Sequence, residues 1–174
     1  MLQSLQILWR IGMKGSRSFY DRLNRYSAPQ AWVEFAKRID SRIGPIWLVD
    51  DPSLLRSLRD GGETFVSIRS EYWENYRVLG ARSYEEAVVC TFLHEIGHIV
   101  ASHTGTPGLK IDSKGISEEY ERRVRQMSLE DVLKDPREKP ALNYVGSIKA
   151  NQPQEFDRLL ESFKVWRAQR SRDA

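Results

Sequence analysis

"TFLHEIGHIVASH", Thr91 to His103, holds all three histidines of a 174-residue chain. His94 and His98 stand four residues apart, Glu95 directly follows the first, and His103 closes the stretch. At about 100° per residue, His94 and His98 lie about 40° apart on one face of a helix. Ala87, Cys90, Thr91 and Ala101 share that sector and are small, while Val89, Phe92, Leu93, Ile96, Ile99 and Val100 occupy the other side. A helix this apolar all round belongs in a core. Its one polar stripe is the histidine pair with Glu95 at the edge. Two neutral imidazoles at i and i+4 can converge on one cation, and zinc suits such nitrogens. The small neighbours predict room for ion, water and substrate. Glu95 is placed to take a proton from an attacking water and return it to a leaving group. His103 lies beyond the shared face and reads as a capping or supporting group.

Outward from this helix the chain reads as α+β. Ser83 followed by Glu86 is a capping box, so the helix should run from about 83 to 102. Upstream, Trp32, Val33, Phe35, Ala36 and Ile39 recur at helical spacing between Pro29 and Gly44. Residues 45–51, "PIWLVDD", and 63–70, "ETFVSIRS", read as strands. A short helix is expected over 18–27, and another after Asp51-Pro52 through Leu54, Leu55 and Leu58, ending at a Gly61-Gly62 turn. Residues 71–79 fit a third strand or a loop against the site. Downstream, 104–115 has loop composition, and 116–127 and 128–134 are helix candidates. Pro136 and Pro140 interrupt, and Pro153 opens a last helix with Phe156, Leu159, Leu160, Phe163 and Trp166 on one face.

Composition narrows the class. Hydrophobic residues make up 40% and charged residues 29%, which supports one globular domain over 1–174. Within it, 1–15 reads as a flexible or docking N-terminal segment and 136–174 as a C-terminal helical extension. Net charge is +3 with a pI of about 9.0, and no run of Lys and Arg is dense enough to mark a nucleic-acid tract. Direct nucleic-acid binding is therefore not expected. Cys90 is the sole cysteine, so neither an intramolecular disulfide nor a cysteine-rich zinc site is available. Leu2 to Met13 is too short and polar to span a bilayer and is a poor signal peptide. The expectation is a cytoplasmic protein with no membrane partner.

A catalytic zinc site needs a third protein ligand. The third histidine of a metzincin is ruled out by Ala101 and Thr104 at the required positions. A carboxylate is expected, and Asp112, Glu118, Glu119 and Glu121 are the candidates.

"HEIGHIVASH" resembles the HELGHxLLGH signature of the ImmA/IrrE-type metallopeptidases, a gluzincin family, through His94, Glu95, Gly97, His98 and His103. The resemblance implies a zincin-like fold, mostly helical with a small sheet before the HExxH helix. It also implies a second motif, E-x-E-A-N or E-x-x-A-D, whose first glutamate is the third zinc ligand. Glu119-Tyr120-Glu121 lines up with E-x-E, which selects Glu119, although Arg122 and Arg123 stand where the family has Ala and Asn or Asp. Beyond Met127 the resemblance ends.

On this reading the chain is a zinc endopeptidase. Its metal ligands are His94, His98 and Glu119, and its catalytic residue is Glu95. The resemblance implies a protein substrate such as a repressor or antitoxin. Substrate backbone is expected along the strand at 63–70, and Tyr120, Tyr144 and Tyr84 are the candidate oxyanion donors. The alternative is a zincin-like binding module whose metal is structural.

Overall fold

The structure is a computed structural model that describes residues 23–50, 58–60, 62–69, 80–103, 134, 136 and 138–173. The described chain is α+β and mostly helical, with a four-stranded sheet. In order come β1 (Arg25–Ser27), α1 (Gln30–Ile39), β2 (Ile46–Val49), β3 (Leu58–Asp60), β4 (Glu63–Ser67), α2 (Tyr84–His103), α3 (Lys139–Asn151) and α4 (Pro153–Asp173). Among the described residues no helix is long and apolar enough to cross a membrane.

The sheet runs β1-β2-β4-β3. β2 and β4 pair in parallel, with Leu48 opposite Val66, and the outer strands pair antiparallel. Alternation sorts the two faces. Ile46, Leu48 and Val66 join the main core with the helices, while Trp47, Val49 and Phe65 form a smaller cluster with Leu23. Gly62, at φ +85°, makes the turn into β4, a conformation that side chains resist.

Three expectations change here. Residues 25–27 form an edge strand on β2, not a helix, because their backbone groups find partners in Trp47 to Val49. Leu58 lies in a strand opposite Phe65, so the helix expected through it does not reach that residue. The strand at 63–70 is observed as β4, yet it lies between β2 and β3. Thr64 and Phe65 pair on both sides, so among the described residues the outer strands of the sheet are β1 and β3. The expectations for 1–15, 71–79 and 104–127 lie outside the described residues.

α2 is the axis of the core. Val89, Cys90, Phe92, Leu93 and Ile96 are fully buried. Phe92 stacks on Trp32 of α1 at 4.4 Å, and the Trp32 indole Nε1 donates to the Leu159 carbonyl of α4 at 3.0 Å. α3 and α4 both pack on α2. The segment 136–174 is therefore helical as expected, but it closes the same core as α2. Pro140 does not interrupt it. It sits in the first turn of α3, where its missing N–H leaves no helical bond unmade.

The partly buried Tyr84 and the buried Cys90 of α2 predict alkaline behaviour. Burial pushes the Tyr84 phenol up to about 12, and it pushes the Cys90 thiol up to about 11. Both ionise earlier in the unfolded chain, so folding holds their protons and the stability they contribute is intact below pH ~9. It is lost as the pH rises through these values. Thermal unfolding should show a falling Tm between pH ~9 and ~12. Cys90→Ala should flatten the slope between pH ~9 and ~11, by at most about 1.4 kcal/mol per pH unit. An unchanged slope in that variant would contradict the assignment.

Candidate metal centre

α2 begins as its sequence requires. The Glu86 N–H donates to Ser83 Oγ at 3.2 Å, and the Ala87 N–H donates to the Ser83 carbonyl at 3.0 Å. The Glu86 carboxylate closes the turn one residue further back than a standard capping box, accepting from the Arg82 N–H at 3.0 Å. Glu85 and Glu86 also place negative charge at the positive end of the helix.

Three turns on, the two histidine rings face each other with centroids 4.7 Å apart. The group that meets them is Glu138, the residue just before α3. Its Oε2 lies 2.9 Å from His94 Nε2 and 3.2 Å from His98 Nε2. One ligand atom from each of the three residues lies within 4.8 Å of the others. Their side chains keep 14, 20 and 14% exposure, so the cluster is mostly sheltered. Burial pushes the Glu138 carboxyl up. The hydrogen bonds and charge of His94 and His98 outweigh it and hold the group well below the usual carboxylate range.

This donor set fits a zinc ion. Bonds of about 2.0–2.1 Å in a tetrahedron place ligand atoms about 3.3 Å apart. The two nitrogen–oxygen separations fall close to that value, and two histidines with one glutamate make three protein donors. Glu95 is buried at 8% exposure beside His94 in the chain.

The sequence-predicted residues fare differently. His94, His98 and Glu95 sit on α2 as expected. His103 is the last residue of α2, and its side chain lies outside the described residues. Glu119, Glu118, Glu121, Asp112 and Tyr120 also lie outside them. Among the described residues, the carboxylate brought to the histidines is Glu138, which was not among the four candidates. Glu138-Lys139-Pro140-Ala141 matches the first four positions of E-x-x-A-D, with Leu142 where the family has Asp and with Glu138 standing 40 residues after His98. That register needs no arginine at the alanine position.

Tyr84 is excluded as an oxyanion donor, since its hydroxyl donates to the Ile68 carbonyl and ties α2 to the end of β4. Tyr144 packs on the core, and its buried hydroxyl has no hydrogen-bond partner among the described residues. It stands about 120° round α3 from Glu138, on the other flank of the stripe that faces α2. The small residues expected to leave space are covered: Ala87, Cys90, Thr91 and Ala101 are all buried.

No protein-family model, no curated protein and no solved structure matches the chain.

Proposed function

We propose that the protein is a zinc-dependent peptidase in which His94, His98 and Glu138 hold the metal and Glu95 moves the proton. The observation that carries this reading is the convergence of both histidine Nε2 atoms on one oxygen of Glu138. A zinc ion bound there would act as a Lewis acid on a peptide carbonyl and lower the pKa of a nearby water. The Glu95 carboxylate takes a proton from the attacking water and delivers it to the amide nitrogen of the breaking bond. Burial of Glu95 keeps competing water from that exchange. Glu138 serves a second purpose, since its negative charge favours both imidazoles staying turned toward the shared point.

The HEIGH motif, together with E-x-x-A at Glu138, supports a zincin-like fold and an ImmA/IrrE-type peptidase. On that resemblance the substrate is a regulatory protein such as a repressor or antitoxin, and the compartment is the cytoplasm. An extended substrate segment would add to one of the outer strands of the described sheet, β1 or β3.

Metal analysis of the purified protein tests the reading. One zinc per chain is expected, with peptide-bond cleavage that stops on chelation and returns on adding zinc. A protein that folds, cleaves and carries no zinc would refute it.

A further inference from the structure

The two ligand-bearing helices cross at a point with no room for a side chain. A Cβ added to Gly97 of α2 would lie 2.8 Å from the Ala141 Cα of α3, 2.9 Å from its carbonyl oxygen and 3.1 Å from the Tyr144 Cβ. The first two obstacles are backbone, so no rotamer change relieves them. Gly97 stands three residues after His94, and Ala141 three after Glu138. On each helix the contact point therefore lies about 60° round from a ligand. His94 and His98 stand on one of these helices and Glu138 at the start of the other, so the separation at this crossing bears on the span between them.

We infer that the Gly97–Ala141 contact is the spacer that sets the ligand span, and with it the size of ion the site accepts. This rests on the metal-binding reading above. Apolar carbons settle at about 3.5–4.0 Å, so a methyl at position 97 must push the helices apart by roughly 1 Å. Metal–ligand distances tolerate only about 0.2 Å. The helix packing can absorb such a shift, but the coordination cannot.

The test compares Gly97→Ala with two controls, using competition against a chromophoric chelator with zinc alone and with cadmium alone. Gly146→Ala adds a methyl elsewhere on α3, where nothing lies within 4 Å. Val145→Ala loosens the buried face of α3 without adding a wedge. Zinc affinity should fall about 10–100-fold in Gly97→Ala, the range found when groups that orient ligands are changed. Cadmium, with its longer bonds, should lose less, so the zinc-to-cadmium ratio shifts. Both controls should keep the wild-type ratio. Equal loss for the two ions, or no loss, would overturn the inference. So would failure of Gly97→Ala to fold while Val145→Ala folds, because the crossing would then be holding the domain together and not gauging the ion. If the wild type itself binds neither ion, it is the metal-binding reading that fails.

Discussion

Replacing Glu138 with alanine is expected to give a folded protein that no longer retains zinc. The carboxylate lies at the N-terminal edge of α3 and contributes no apolar burial, so its loss leaves the packing of Ala141, Val145 and Ile148 against the core intact. What it removes is one of the three donors found among the described residues and the anionic one of that set, which leaves two imidazoles of the set to hold a dication. In the wild type, zinc at about a thousand times its Kd should stabilise the fold by about 4 kcal/mol. For a chain of this size that is a rise of roughly 8–16 °C in Tm. The rise should vanish in Glu138→Ala, and zinc stoichiometry after dialysis should drop from one per chain to near zero. Glu119→Ala should retain both the metal and the shift. The reverse pattern, with Glu119 needed and Glu138 dispensable, would return the third ligand to the segment around 117–121.

Glu95→Gln is the second large effect, and it separates chemistry from metal retention. The amide matches the carboxylate in shape and fits the same buried place, but it cannot take a proton from water. Turnover should fall about 10²–10⁴-fold, while zinc content and Tm stay at wild-type values. His94→Ala should lose both activity and metal. Should Glu95→Gln remain fully active in the cell while His94→Ala is not, the metal would be structural and the chain a binding module.

The Glu95 and Glu138 variants draw on different kinds of information in the chain. Glu95 and the histidine pair were legible because a helix has a fixed period, so spacing alone puts His94 and His98 on one face. The same local logic located α1, β2, β4 and α4, whose apolar residues recur at their element's own repeat. The capping residue Ser83 marked where α2 begins. Pro140 was misread because a proline that ends one helix and a proline that opens another look alike until the next turn is known to pack. Leu58 and residues 25–27 were misread because a three-residue strand has too few positions to show a repeat. Only its partner strand makes it a strand.

By itself, the sequence determined the α+β character, the buried site helix and the placing of His94 and His98 on one face of it with Glu95 alongside, since each depends on neighbours within a turn or two of chain. Only the tertiary structure decided that Glu138 meets the histidines, that β4 is an inner strand, and that Gly97 lies against Ala141. These are contacts between segments far apart in sequence. Their geometry comes from how helices and strands pack, and side-chain spacing along one element carries no record of which distant element will lie against it.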